Sequence, residues 1–279
     1  MSVRTQGAAF SVRLFRAGLR RCFWPVATVA RALAGAIRAV ETSAPVAALT
    51  FDDGPSPDTT PRVLEILRRH RARGTFFMVG EAASLHPELV AQVVEEGHAV
   101  GSHTWSHASL PMLKTTERLE EIRACEAVLP LSRPRLFRPP YGHQNWPCRC
   151  LTLSLGYEVI AFSVHAEDWL DRSAPWMARR LVDKIRPGSI VVLHDRICRN
   201  ILASGKEDRS AMIAALDQAL DRLAGRFAFV TVPELLRHGP AVRENWYNQP
   251  PPELRSVLGE HVVDIRRRKA IASEATRRG

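Results

Sequence analysis

The amino-acid sequence predicts an α/β fold: a distorted (β/α) barrel of about seven strands forming a single catalytic domain. Three observations carry that prediction. Short apolar runs alternate with helical patterns between Val46 and Thr231. The runs are solidly apolar, as expected of parallel strands buried on both faces. Polar clusters follow nearly every run, and barrels gather their working side chains at that C-terminal rim, which favours closure over an open sheet.

The elements follow in chain order. Val46–Phe51 is a strand that runs into the turn sequence Asp52-Asp53-Gly54-Pro55. Asp58 is placed to cap a helix with Val63, Leu64, Ile66 and Leu67 on one side, ending near Gly74. Thr75–Val79 is the second strand. His86–Glu96 is a helix with Pro87 in its first turn and Gly97 past its end. His98–Ser102 is the third strand, and a helical stretch covers Thr115–Leu129. Later strands fall at Leu136–Arg138, Glu158–Ser163, Ser189–Leu193 and Phe227–Thr231, with helical patterns at Trp176–Ile185 and Ser210–Leu223. Gly239-Pro240 and Pro250-Pro251-Pro252 then mark the domain's end. The predicted organisation is a basic N-terminal extension over 1–44, the catalytic domain over 45–240 and a C-terminal tail over 241–279.

The 279 residues carry a formal charge of +10, which by itself points to a polyanionic partner. Its distribution says otherwise. Residues 1–40 hold seven arginines and no acid, and residues 264–279 hold six basic residues against two acidic. The span 41–263 carries 26 basic and 27 acidic residues. A neutral centre excludes a nucleic-acid-binding domain and leaves the basic ends for peripheral contact with an anionic membrane. Phe10, Leu14, Phe15, Leu19 and Phe23 lie opposite the arginines of such a segment. Two other readings stand beside it: a twin-arginine-like export signal at Arg20-Arg21-Cys22-Phe23 with cleavage near Ala32-Leu33-Ala34, and an unstructured basic leader. Five cysteines lack metal-ligand spacing and read as reduced, so the expected location is the cytoplasm or a membrane surface, with export as the alternative.

Five polar clusters follow strands. In Thr50-Phe51-Asp52-Asp53-Gly54-Pro55-Ser56, two adjacent carboxylates cannot point the same way, so one can bind a metal while the other faces substrate. Turn chemistry is the plainer alternative. In His103-Thr104-Trp105-Ser106-His107, two histidines at i and i+4 on a helical turn have a common divalent-metal spacing. With Asp53 they make three protein ligands, which leaves positions open for catalysis. Phe137-Arg138-Pro139-Pro140-Tyr141-Gly142 is a stiff loop whose Arg138 could pair with Asp52 or simply lie exposed. His165-Ala166-Glu167-Asp168-Trp169 and Val191-Val192-Leu193-His194-Asp195 complete the set.

These five clusters, in this order, resemble the polysaccharide deacetylase family, carbohydrate esterase family four, also called the NodB-homology domain. The strings that carry the resemblance are TFDDGPS, HTWSH, FRPPYG, the Asp-Trp of HAEDW, and VVLHD, spread over about residues 45–240. The resemblance implies a metal-dependent N-deacetylase that hydrolyses the N-acetyl amide of sugars in an N-acetylated glycan to acetate and a free amine. It implies one divalent ion, zinc, held by Asp53, His103 and His107. Asp52 would be the general base, oriented by Arg138, and His194 the general acid. The backbone N–H of Tyr141 would stabilise the oxyanion, and Trp169 and Leu193 would wall the acetyl pocket. One departure is His165, where the family pattern is expected to carry an Asp that pairs with the acid. The alternative reaction is hydrolysis of another carbon–nitrogen amide, in a formylated lipid-linked sugar or a small cyclic amide. The sequence leaves the particular glycan and the oligomeric state open.

Overall fold

The structure is a computed structural model that describes residues 35–198, 208–245 and 248–278. The chain opens with β1 (Ala36–Val40) and β2 (Val46–Asp52), followed by α1 (Thr60–Arg69) and β3 (Gly74–Met78). Next come α2 (Gly80–Leu85), α3 (Pro87–Glu95), β4 (Ala99–Ser102), α4 (Thr115–Val128) and β5 (Arg135–Phe137). Then follow α5 (Trp146–Ser154), β6 (Tyr157–Val159), β7 (Val164–His165), α6 (Ala174–Lys184) and β8 (Ile190–His194). The chain closes with α7 (Ser210–Leu223), β9 (Ala228–Val230), α8 (Val232–Leu235), β10 (Ala241–Glu244) and α9 (Pro252–Arg278).

Seven parallel strands form a curled half-barrel in the order β6-β5-β4-β3-β2-β8-β7, with β9 added beside β2. All seven residues of the central strand β2 are buried. Alternate side chains of a strand face opposite ways, so Leu49 and Phe51 pack outward under the helices, against Leu64, Leu67 and Leu216. Ala48 faces inward with Phe77, Leu136, Ile160 and Ile190.

The barrel's seam is spanned by a strand absent from the sequence-based prediction. Ile37 of β1 bridges Ile160 beyond β6, and Ala39 bridges Ser189 ahead of β8. Ala161 donates its N–H to the Ile37 carbonyl at 2.7 Å, and Val40 donates to the Gly188 carbonyl at 2.9 Å. The approach at Gly188 is close. Its φ is +79°, and a Cβ there would stand 1.8 Å from the Val40 carbonyl oxygen. β1 pairs antiparallel with β10, and Arg38 forms an ion pair with Glu244 at 2.9 Å.

Paired strands and buried residues therefore continue on both sides of the span 45–240. The first residues of the compact unit belong to the stretch assigned to the N-terminal extension, because a five-residue strand with an arginine in it shows no clear apolar run. The C-terminal tail is likewise part of the body. Val262 and Ile265 of α9 are buried in a cluster that includes Leu110 and Ile122, and Leu258 is buried as well. Arg266 pairs with Glu117 at 2.7 Å and Arg268 with Glu81 at 2.6 Å, so two of the C-terminal arginines serve to seat the helix.

Local corrections have local causes. Asp58 does not cap α1; Thr59 occupies the N-cap position without a side-chain bond, and the helix ends at Arg69. The predicted strand Glu158–Ser163 divides, leaving β6 and β7 with the sharp segment between them facing the barrel interior. The sequence-based prediction lacks α5; its cap is the side-chain Oδ1 of Asn145, which accepts from the Cys148 N–H at 3.0 Å. The N-terminal residues on which the membrane, export and leader readings rest lie outside the described residues. Among the described residues no helix is long and apolar enough to cross a membrane.

If β1 is integral to the core, Ile37→Ala costs about 2–5 kcal/mol, the range for truncating a buried aliphatic side chain. Urea unfolding of the full chain measures it. A loss below about 1 kcal/mol would place β1 outside the cooperative unit.

Candidate active site

A cavity of about 530 Å³ opens at the C-terminal rim of the sheet. Its floor is polar: Asp52, Asp53, His103, His107, Arg138, Tyr141 and His194 line it. Its walls are mostly apolar and include Ile160, Phe162, Trp169, Val192 and Ile197. The stretch once read as a tail contributes Asn248, Gln249, Pro251 and Leu254.

The two adjacent carboxylates diverge because the backbone turns between them. Asp52 ends β2 in the strand conformation, whereas Asp53 has φ of 73°. Asp52 accepts a hydrogen bond from Arg138 Nη1 at 2.6 Å. The arginine is only 3% exposed, which settles its two sequence-level readings in favour of the ion pair. Its other donors reach Thr50 Oγ1 at 2.7 Å and the carbonyls of Ile160 and Ala161, each at 3.1 Å. The guanidinium also lies 4.2 Å over the Phe77 ring. A buried cation with that many acceptors is satisfied where it stands.

Asp53 goes the other way. Its Oδ1 stands 3.3 Å from His103 Nε2 and 3.0 Å from His107 Nε2. The two histidines do not share a helical turn. Thr104 and His107 both have positive φ, and this bent loop, not a helix, aims the rings together. Ring partners decide their protonation. His103 Nδ1 lies 2.7 Å from the Arg138 carbonyl, which can only accept, so Nδ1 donates there and Nε2 is turned toward Asp53. His107 Nδ1 is held by the Tyr141 hydroxyl at 3.0 Å. Burial, opposed by the Asp53 carboxylate, brings His107 below the usual imidazole range and favours the neutral form that ligates metals.

This arrangement fits a cation. Asp53 is 4% exposed, and its Oδ1 has no hydrogen-bond partner among the described residues. A carboxylate oxygen and two imidazole Nε2 atoms converge here within 3.0–3.3 Å, a donor set that a divalent ion standing between them would join. Burial raises the Asp53 carboxyl, but the surrounding histidines hold it well below the ordinary carboxylate range, so the oxygen is ionised.

His194 ends β8 as the register partner of Asp52. Its Nδ1 lies 3.1 Å from Asp168 Oδ1, and its backbone N–H donates to Asp168 Oδ2 at 2.8 Å. Arg209 in turn holds Asp168 through its side chain and donates to the Asp168 carbonyl at 2.8 Å. Burial works against a charged His194, but Asp168 first, then Asp53 and Asp52, raise it to about 9. With His165 where the family pattern is expected to carry an Asp, Glu167 or Asp168 could substitute, and it is Asp168 that pairs with His194. His165 stacks on Trp169 at 5.4 Å between ring centres, and its carbonyl accepts from Arg180 at 2.9 Å. Trp169 meets His194 edge-on at 5.5 Å, as a cavity wall should.

Leu193 is a second correction. It is fully buried in the outer core, because strand alternation turns Val192 and His194 to the cavity and Leu193 away from it. Counting by two from His194 would have found Val192. Tyr141 lines the cavity from a turn with φ of 58°. Of the six non-glycine residues with positive φ among the described residues, Asp53, Thr104, His107 and Tyr141 cluster here; such conformations persist where surroundings over-determine them. Two further residues escaped the sequence reading. Arg209 lies 15 positions past His194 with no motif to mark it, and Cys198 follows β8 on a loop.

Comparison with known proteins places these features. A family model described as polysaccharide deacetylase matches residues 39–160, which hold the first three clusters. A peptidoglycan-N-acetylglucosamine deacetylase of Bacillus cereus is 37% identical over 199 residues, covering 69% of this chain and 89% of that protein. A chitooligosaccharide deacetylase of Sinorhizobium fredii is 36% identical over 192 residues, covering 66% and 88%. The solved structure of the peptidoglycan deacetylase PdaC from Bacillus subtilis superposes with a TM-score of 0.61 at 32% identity, covering 71% of this chain and 93% of that one.

A divalent ion that binds only the folded chain stabilises it by mass action, about 3–4 kcal/mol at 100 to 1,000 times its dissociation constant. Thermal melts of chelator-treated protein should therefore rise on adding a divalent metal, and His107→Ala should abolish most of the rise. An undiminished rise in that variant would put the ion elsewhere.

Proposed function

The chain belongs to the polysaccharide deacetylase family, and on that footing we propose that it is a metal-dependent hydrolase that removes N-acetyl groups from the sugars of an N-acetylated glycan, releasing acetate and a free amine. The observation that carries the reading is the pairing of Asp52 with His194 at one cavity floor, each held by its own counter-ion. Arg138 occupies Asp52 and keeps it an acceptor, while Asp168 occupies His194 and keeps it protonated. A base and an acid that close would otherwise neutralise one another.

The family uses a divalent metal, and Asp53, His103 and His107 are the residues that would hold it here; two imidazoles and one carboxylate favour zinc. When bound, the ion polarises the acyl oxygen and lowers the pKa of water. The protein's own groups do the rest. Asp52 takes a proton from the attacking water. The Tyr141 backbone N–H, carried on its left-handed turn, donates to the oxygen on which negative charge develops. His194 gives its proton to the leaving nitrogen, without which an amide expels its amine poorly. Trp169 and Val192 enclose the acetyl methyl.

Asp52→Asn and His194→Ala are each expected to reduce turnover on N-acetylated chitooligosaccharides by about 10²–10⁴-fold, the usual contribution of a positioned acid or base. Near-native rates in either variant would sink the assignment. Acetate release should also stop on chelation; formate release from a formylated sugar, without acetate release from acetylated glycans, would name a different acyl group.

The acid works only while protonated, so activity falls as pH rises through its pKa, at or below about 9 once a cation offsets the Asp53 contribution. Asp168→Asn removes the strongest carboxylate holding that proton and should move this alkaline limb to lower pH. A pH–rate profile with the limb unmoved would show that Asp168 does not set the acid.

A further inference from the structure

The loop after β8 returns a thiol to the metal-ligating cluster. Cys198 lies four residues beyond His194, and its backbone N–H donates to Asp53 Oδ2 at 2.9 Å. That bond clamps the loop against a presumed ligand through its second oxygen, leaving Oδ1 free for the ion. The side chain follows: ligand atoms of Asp53, His107 and Cys198 all lie within 4.8 Å of one another. Donors on one tetrahedral zinc stand roughly 3.3–3.6 Å apart, so the gap left to close is about an ångström. Cys198 is half-buried and lines the same cavity, next to Ile197. The unpartnered, buried Asp53 Oδ1 independently marks the point on which a ligand set would converge.

We propose that Cys198 is a fourth protein ligand of the resting metal centre, supplying a thiolate beside Asp53, His103 and His107. This rests on the reading of those three residues as a metal site. On ligation the thiol loses its proton to solvent and the sulfur's electron pair goes to the ion; nothing is oxidised or reduced. The chemistry has two consequences. A soft thiolate biases the site toward zinc or cobalt and away from magnesium or manganese. Four protein ligands also complete a tetrahedral set, the closed arrangement of structural zinc sites, whereas catalysis needs an open position. The sulfur must therefore leave, or the coordination expand, before water and substrate engage. Cys198 thus holds the centre closed between turnovers.

Cobalt substitution of the full-length protein tests this without reference to activity. Cobalt-loaded native protein should show a thiolate-to-cobalt charge-transfer band in the near ultraviolet, together with visible ligand-field bands. Cys198→Ser should keep the visible bands and lose the charge-transfer band. Chelator competition should show zinc held more weakly in Cys198→Ala, by at least the roughly 10–100-fold typical of losing even an outer partner of a metal ligand. Visible bands without a charge-transfer band in the native protein would overturn the proposal and leave the three-residue site standing. A charge-transfer band that persists in Cys198→Ser would assign the thiolate to another cysteine and equally overturn it. Failure to bind cobalt at all would remove the metal centre itself, and the proposal with it.

Discussion

One buried guanidinium joins the parts of this site. Arg138 stands at the end of β5, and its side chain reaches β2 through Thr50 and Asp52, and the β6–β7 crossing through the carbonyls of Ile160 and Ala161. Its own backbone carbonyl takes the Nδ1 hydrogen of His103. A single residue therefore holds Asp52, orients the His103 ring and ties β2 and β5 to the β6–β7 crossing. Burying a cation this deeply is tolerable only because each donor direction finds an acceptor. Removing Asp52 would leave the buried charge uncompensated, and losing a neutral acceptor would leave a buried donor unmet, so the site and the barrel interior are held by the same contacts.

The charges on the cavity floor are sorted by counter-ion. Asp52 belongs to Arg138, Asp168 to Arg209 and His194, and Asp53 to two imidazoles. Three carboxylates in one pocket would otherwise raise one another's pKa and protonate. The partition gives each carboxylate its own partner and leaves His194, raised to about 9, facing the cavity. It also explains the clustering of strained backbone. Asp53, His107 and Tyr141 take left-handed conformations that L-residues disfavour, because strands alone cannot turn adjacent side chains onto a single point.

The closing of the barrel shows how an apolar stretch with an arginine in it can be core. β1 bridges the gap between the end strands, where its Ile37 and Val40 are buried and Arg38 turns outward to Glu244. The C-terminal helix does the same on another face, using Leu258, Val262 and Ile265 inward and its arginines outward. The +10 of the chain thus divides into residues 1–34, which lie outside the described residues, and a C-terminal run partly committed to holding a helix in place. The neutral span between them carries the chemistry.

Much of this was legible in the sequence, and the reason is periodicity. Mostly apolar runs marked the parallel strands β2, β3, β4 and β8, because burial on both faces favours apolar side chains, with Thr50, Thr75 and Ser102 among the buried exceptions. Polar residues directly after those runs must sit at the rim, which named Asp52, Asp53, His103, His107, Arg138, Trp169 and His194. What the sequence could not decide was direction and company. The bent path from His103 to His107 follows from positive φ values, which no spacing rule encodes. Val192 instead of Leu193 faces the cavity because strand alternation is counted from a neighbour whose orientation the sheet sets. Asp168, Arg209 and Cys198 enter the site from loops, through contacts over 26, 41 and 145 positions of chain. Such contacts exist only once the barrel has curled, so only the tertiary structure could decide them.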